Sequence, residues 1–293
     1  MPNLLGLVVL AALSLQQALY GVVQGIAEWL PISSKTQVII VSTYLLNMPF
    51  SEAYTFGLFM EIGTVLAAVI YFRKELASIV RFLMRRGDAE SRRLFNYVLV
   101  SMVLTGIVGV PLYMVVDSIQ GRYNAGIPML LMGLILIGDA LLIRHARSAR
   151  AAAGKRRKLR DMGVRDYVLV GIAQGIAALP GVSRSGTTTS AMLLMNVEAD
   201  EAFRLSFLNS IFATSAAVAL TLVVSRGNVA TAVGAIGVPG LAIAIAVSTV
   251  VSLLLISLML RIAKHSKIVY LTAALGALAL FGGALAAITN IAG

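Results

Sequence analysis

Cysteine is absent from all 293 residues. That excludes disulfides and thiolate metal sites, and leaves the redox compartment unread. Histidine occurs only at His145 and His265, both within stretches that read as basic loops, so a histidine-based metal cluster is not expected. Charge is scarce as well. Asp, Glu, Lys and Arg make up 13% of the chain, against roughly 25% in a soluble domain. Apolar residues fill the gap: 59% of the chain is hydrophobic and its mean hydropathy is +0.90. The apolar runs are long and continuous rather than alternating, which argues against a β-barrel and predicts an all-α integral membrane protein. The N-terminus has no basic n-region and no small-residue cleavage site, so no signal peptide is expected.

What charge there is has one dominant sign. Lys and Arg number 24 against 13 Asp and Glu, a formal net charge of +11. Seven of the 24 lie in 72–93, nine in 144–165 and three in 261–267. These are junctions between apolar segments, where positive-inside loops belong. No basic domain stands apart from the membrane segments, so nucleic acid is not an expected partner.

Six apolar segments are long enough to cross a bilayer, near 53–72, 94–117, 124–144, 203–225, 236–260 and 268–290; about 20 residues suffice. Two further regions, about 4–46 and 166–196, are apolar but interrupted by Leu30-Pro31 and Leu179-Pro180-Gly181. A helix rarely continues through proline, which lacks a backbone donor and clashes with the preceding turn. Both regions read as re-entrant helical hairpins. With the three basic junctions inside, the first hairpin starts and ends outside, the second starts and ends inside, and both termini lie outside the plasma membrane. Each half is then one hairpin plus three spans, and the odd number inverts the second half relative to the first. The expected organisation is a single membrane domain over 1–293, with a first repeat at 1–145, a basic linker at 146–165 and a second repeat at 166–293. The alternative makes 4–20 an ordinary span with an inside N-terminus. The linker, with Lys155-Arg-Arg-Lys158, reads as an orienting loop that attracts anionic lipid head groups.

The repeat is visible in the letters. Gly21-Val-Val-Gln-Gly-Ile-Ala-Glu-Trp-Leu-Pro-Ile-Ser-Ser34 returns 150 residues later as Gly171-Ile-Ala-Gln-Gly-Ile-Ala-Ala-Leu-Pro-Gly-Val-Ser-Arg-Ser185. Broken helices at matching positions of two halves point to a membrane binding site, because non-helical backbone inside a bilayer must be satisfied by protein or by a water-filled cavity. At the second tip, Gly181 and Gly186 allow close backbone approach, and Ser183, Ser185, Thr187 and Thr188 add hydroxyls. Arg184 supplies a planar fork suited to phosphate. A helix starting after Pro180 would aim its free N–H groups at the same place. The first tip supplies Ser33, Ser34, Lys35, Thr36 and Gln37. Glu28 lies just before it and reads as a general base or a metal ligand. Glu61, deep in a predicted span, is a second carboxylate for the same site, or a hydrogen-bonded structural acid. Gln24 and Gln174 occupy matching positions and read either as site residues or as interhelical hydrogen-bond partners.

These motifs resemble the undecaprenyl-diphosphate phosphatase family of the bacitracin-resistance type. The first tip is similar to the family's Glu-Gly-x-x-Glu-Phe-Leu-Pro-x-Ser-Ser-Thr-Gly-His motif, and Leu179-Pro-Gly-Val-Ser-Arg-Ser-Gly-Thr187 to its Pro-Gly-x-Ser-Arg-Ser-Gly signature. Glu61-Ile-Gly-Thr-Val-Leu-Ala-Ala-Val-Ile-Tyr-Phe-Arg-Lys74 and Phe203-Arg-Leu-Ser-Phe-Leu208 also look like family segments. The resemblance implies hydrolysis of a polyprenyl diphosphate to the monophosphate, which recycles the lipid carrier of envelope glycans. It also implies two re-entrant hairpins in an inverted repeat and a divalent cation, Mg²⁺ or Ca²⁺. By resemblance Glu28, Ser33, Ser34 and Arg184 take active-site roles: Arg184 on the diphosphate, a tip serine as nucleophile, and Glu28 as base or metal ligand. Membrane lipids are the other expected partner, and a homodimer is the candidate oligomer.

Three positions depart from the family pattern. Its first glutamate is Gln24, its histidine is Gln37, and its Thr-Gly is Lys35-Thr36. Glu61, conversely, stands where the family typically has glutamine. The expectation is that a carboxylate has moved from the first arm to the neighbouring span, with Glu28 and Glu61 as the metal-ligand pair and Lys35 supplying phosphate-binding charge. A carrier flippase without phosphatase activity is the alternative that this loss of an acid and a histidine leaves open.

Overall fold

The computed structural model describes residues 4–30, 32–35, 37–38, 41–42, 50–118, 126–148, 156–179, 181–224, 226–263 and 268–288. Pro31, Thr36, Pro180 and His265 lie outside the described residues. So do the side chains of His145, Asp117 and Asp139.

Eleven α-helices are present among the described residues: α1 (Leu4–Ala27), α2 (Phe50–Tyr71), α3 (Arg73–Leu83), α4 (Ala89–Ser118), α5 (Gly126–Ser148), α6 (Val164–Ile176), α7 (Arg184–Leu194), α8 (Ala199–Val224), α9 (Arg226–Ile236), α10 (Val238–Ala263) and α11 (Ile268–Ile288). All six expected spans are helices. Three stretches are long and apolar enough to cross a membrane: Ala89–Val116, Ala199–Val224 and Val238–Ala263. Large apolar side chains face outward along them, Ile107 at 63% exposure and Leu254 at 65% among them. In water such faces would be aggregation surfaces; against lipid they are the expected exterior.

Four features depart from the sequence reading. The basic junction 72–93 contains the amphipathic helix α3, which buries Ile79 and exposes Val80 and Leu83; its Glu75 receives Arg204 of α8 at 3.1 Å. The segment 226–236, between two expected spans, forms α9. His145 belongs to the helical end of α5 rather than to a loop. Part of the Lys155-Arg-Arg-Lys158 cluster is folded back onto the protein. Arg157 pairs with Asp166 at 2.6 Å and with the Met195 carbonyl at 3.2 Å, and Lys158 pairs with Glu198 at 3.3 Å. Two of that cluster's cations therefore brace the second half instead of facing lipid head groups. Proline does not end every helix either: α4 runs through Pro111.

Packing directions follow from which residues meet. Glycine allows the closest approaches. A Cβ on Gly21 would lie 2.5 Å from the Ala244 carbonyl oxygen, and one on Gly25 2.8 Å from Val251, so α1 and α10 run parallel in close contact. A Cβ on Gly171 would lie 2.5 Å from the Ser101 carbonyl oxygen, and one on Gly175 2.6 Å from Val108, so α6 and α4 also run parallel. A third parallel pair joins α4 to α8 by three hydrogen bonds of one register. Tyr97 Oη donates to the Leu205 carbonyl at 3.2 Å, Asn209 Nδ2 to Ser101 Oγ at 3.0 Å, and the Tyr113 and Thr221 hydroxyls pair at 3.3 Å. The helices α5 and α11 run antiparallel: Gly133 meets Leu280 where Gly276 meets Ile137. In a membrane these small-residue contacts and side-chain hydrogen bonds carry the association that the hydrophobic effect supplies in water.

Candidate active site

Two chain breaks meet in the interior. The first follows α1, which ends at Ala27 and passes through a turn at Glu28–Leu30. Its position is fixed by Trp29, which is buried at 1% exposure and packs edge-on against Phe207 of α8, with ring centroids 4.9 Å apart. The second lies between α6 and α7, where Gly181 takes φ +85°. At 13 and 11 residues, α6 and α7 are about 20 and 16 Å long, each too short to cross a bilayer. The helix α7 begins at Arg184, and its N-cap is Ser183, whose Oγ accepts the Gly186 N–H at 3.2 Å. It therefore starts later than the proline alone suggests, and one of its free N–H groups is already taken.

The tips are joined across the chain by polar contacts. Ser185 Oγ donates to the Leu30 carbonyl at 3.1 Å and Ser183 Oγ to the same oxygen at 3.5 Å. Arg184 Nη2 is ion-paired with Glu28 Oε1. On its other oxygen, Glu28 accepts Ser34 Oγ at 2.5 Å and Gln24 Nε2 at 3.0 Å. The Glu28 side chain is 4% exposed and that of Arg184 15%. Removal of either charge would leave the other buried without compensation, a cost of about 3–5 kcal/mol. Arg184 Nη1 is buried with no hydrogen-bond partner among the described residues. Ser33 sits at φ +55°, a left-handed conformation that is strained for a non-glycine residue and that concentrates at ligand sites.

These groups form one end of a cavity of about 520 Å³. Glu28, Ser33, Ser34, Lys35, Glu61, Ser183, Arg184 and Ser185 line its polar end, and small and apolar residues of α4, α6 and α8 line the remainder. Glu61 is buried at 4% exposure, so both candidate carboxylates face one space with both candidate cations. Among the described residues no group of three or more His, Cys, Asp or Glu side chains converges. The available donor set is thus two carboxylates with serine hydroxyls, all hard oxygens. It suits a cation such as Mg²⁺, which is usually held by one or two carboxylates together with substrate phosphates.

Of the remaining sequence candidates Gln174 lines the cavity, and the others described fall around it rather than on its wall. Gln24 is fully buried and orients Glu28. Gln37 donates to the Ile32 carbonyl at 3.3 Å. Gly181 and Gly186 shape the second tip. Thr187 Oγ1 bonds to the Ser183 carbonyl at 3.1 Å, and Thr188 Oγ1 to the Arg184 carbonyl at 2.8 Å and to Ser206 Oγ at 2.6 Å. Those two hydroxyls serve α7 and its seating on α8. Thr36 lies outside the described residues. Sequence reasoning missed the apolar wall. On α4 it runs Met102, Thr105, Gly106, Gly109, Val110, Tyr113, a helical i, i+3, i+4, i+7 stripe of mostly small residues that the uniform hydrophobicity of the span concealed. It also missed the Leu30 carbonyl, since a main-chain acceptor leaves no mark on the letters.

Comparison with known proteins shows the family. The family described as bacitracin resistance protein BacA matches residues 17–281. The undecaprenyl-diphosphatase of Saccharolobus solfataricus is 45% identical over 271 residues, covering 92% of this chain and 95% of that protein. The enzymes of that name from Sulfurisphaera tokodaii and Pyrobaculum aerophilum are 44% and 42% identical, over 89% and 92% of this chain and 93% and 96% of their own lengths. With a match that takes in both tips, every cavity wall and nearly the whole chain, this protein belongs to the BacA family.

Proposed function

We propose that this chain is an integral membrane phosphatase that hydrolyses a polyprenyl diphosphate of the undecaprenyl diphosphate type to its monophosphate, and so recycles the lipid carrier for envelope glycan synthesis. The observation that carries this reading is the Ser34–Glu28–Arg184 contact at the polar end of a cavity whose other end is apolar. An amphiphile with a compact anionic head and a hydrocarbon tail has that shape.

The chemistry follows from the contacts. Arg184 Nη1 and Lys35 hold the phosphates, while Glu28 keeps the guanidinium in place through Nη2. Ser34 Oγ, hydrogen-bonded to Glu28 Oε2, passes its proton to that carboxylate and attacks the terminal phosphorus. The bond from phosphorus to the bridging oxygen breaks, and the polyprenyl monophosphate leaves. Water then cleaves the serine phosphate, with Glu28 returning the proton to Ser34. The barrier falls chiefly through charges placed in advance where negative charge develops. A divalent cation would be held by Glu61, with Glu28 as the second ligand where it does not serve as the base, and would supply positive charge against the charge that develops on phosphate.

The architecture proposed with this activity is an inverted repeat of 1–145 and 166–293 about the 146–165 linker, with two re-entrant hairpins in the plasma membrane and both termini outside. The packing partners support it: α1 lies on α10 as α6 lies on α4, each through a repeated glycine pair, and α5 pairs antiparallel with its counterpart α11. The lengths of α6 and α7 support the second hairpin. The 24 residues of α1 keep the alternative, an ordinary first span, in play for a topology experiment. A homodimer is the candidate assembly.

The test is phosphate release from a polyprenyl diphosphate by the purified protein in detergent, with and without Mg²⁺, beside Arg184→Ala. Turnover that Arg184→Ala reduces at least 10²-fold is the expected result. A folded protein that binds the lipid without releasing phosphate would replace this reading with a carrier flippase.

A further inference from the structure

We propose that Gly106 keeps open the part of the cavity that takes the lipid tail beyond its first isoprene unit, which makes it a specificity-determining residue for the hydrocarbon chain. The proposal rests on the phosphatase reading for the identity of the head group.

A glycine inside a long helix lowers its stability relative to alanine, so each one asks for a reason. Packing explains those nearby. A Cβ on Gly171 or Gly175 would collide with α4 at 2.5 or 2.6 Å, and one on Gly109 would stand 3.4 Å from the Gly175 carbonyl oxygen. Gly106 differs, because a Cβ there meets nothing within 4 Å and its backbone is ordinary α-helix. Neither neighbours nor φ require glycine. It nevertheless lines the cavity, as do the small residues Ala213 and Ala217 of α8.

The walls on either side of it are tied to each other. The α4–α8 hydrogen bonds Tyr97–Leu205, Asn209–Ser101 and Tyr113–Thr221 repeat with a constant separation of 108 residues. They tie the two helices together in one register before and after Gly106. The groove is continuous with the polar end, where the buried Arg184 Nη1 still lacks a partner. An apolar groove ending on a guanidinium nitrogen with a donor to spare fits a branched hydrocarbon attached to a phosphate. A side chain at position 106 would fill the groove without disturbing the fold.

The experiment compares Gly106→Ala, Gly106→Leu and Gly106→Phe with Ile107→Phe, the neighbouring lipid-facing position at 63% exposure. Substrates are farnesyl diphosphate and the single-isoprene dimethylallyl diphosphate. Binding of the non-hydrolysable farnesyl methylenediphosphonate and thermal unfolding are measured alongside. With increasing side-chain size KM for farnesyl diphosphate should rise, about tenfold for leucine and more for phenylalanine, while kcat changes less than about twofold. The short substrate, the control variant and the unfolding temperature should barely move. Equal losses on both substrates, or no loss with phenylalanine, would overturn the assignment. If even the unmutated protein releases no phosphate, the phosphatase reading fails by itself and the analogue decides the groove. Weaker binding by Gly106→Phe than by Ile107→Phe supports it, and equal binding refutes it.

Discussion

The two broken-helix arms carry the same scaffold and opposite chemistry. Gly21 and Gly25 seat α1 on α10 as Gly171 and Gly175 seat α6 on α4. Gln24 and Gln174 hold equivalent places 150 residues apart. In the first arm Gln24 donates to a carboxylate, Glu28, at 3.0 Å. In the second, Ala178 stands where Glu28 would be, and Gln174 donates to the Thr105 hydroxyl at 2.9 Å. The sequence Phe59-Met-Glu61 on α2 likewise has its counterpart in Phe207-Leu-Asn209 on α8, where Asn209 joins a neutral network with Gln174 and Ser101. Close glycine contacts tolerate a change of chemistry one turn away, because they use backbone and Cβ space only. That tolerance lets one half supply the acids and the other the guanidinium, so that a single charged site forms where the tips meet.

Making the arms alike should have the largest effect. Glu28→Ala converts the first arm to the second arm's pattern. Steady-state phosphate release should fall by about 10³-fold, within the range for loss of a general base, and thermal unfolding should show a loss of about 3–5 kcal/mol from the stranded guanidinium. Glu28→Gln combined with Arg184→Met should recover most of that stability and none of the activity. Retained turnover in Glu28→Ala would detach the ion pair from the chemistry.

A smaller effect is expected from the second carboxylate. Glu61→Gln removes the second carboxylate's charge while keeping its shape and should lower turnover by about 10²-fold. Adding Gln24→Glu, which places an acid back on α1, should regain part of it. An unchanged rate in the single variant would reduce Glu61 to a structural acid.

The mildest test concerns the scaffold itself. Gly21→Ala and Gly171→Ala each push a Cβ to 2.5 Å from a carbonyl oxygen. Each should destabilise by about 1–3 kcal/mol through overpacking, with nearly unchanged turnover per folded molecule. Clearly unequal losses in chemical or thermal unfolding would mean that the two contacts are not equivalent.

Much of the molecule was legible because the bilayer imposes strong rules on composition. Apolar length located the six long helices, proline and glycine located the breaks, and the repeated Gly-x-x-Gln-Gly pattern located the arms. Legibility failed where partners rather than patterns decide. The charges of α3 hid its single buried residue, Ile79, and its tie to Arg204. Thr187 and Thr188 look like ligand hydroxyls until their bonds to the backbone of α7 and to Ser206 are seen. Lys158 and Arg157 look like lipid-facing charge until Glu198 and Asp166 take them up.

From its letters alone this chain is a helical membrane protein with two serine-rich breaks and an arginine and two carboxylates poised for phosphate. Burial cost and backbone hydrogen bonding admit few other readings of such residues in apolar runs. Only the tertiary structure decided that Glu28 and Arg184, 156 residues apart, form one pair. It alone set Ser34 as the hydroxyl on the carboxylate and opened a groove before Gly106. Those facts depend on which helices run side by side and in which direction, and that is fixed by long-range packing that no local pattern encodes.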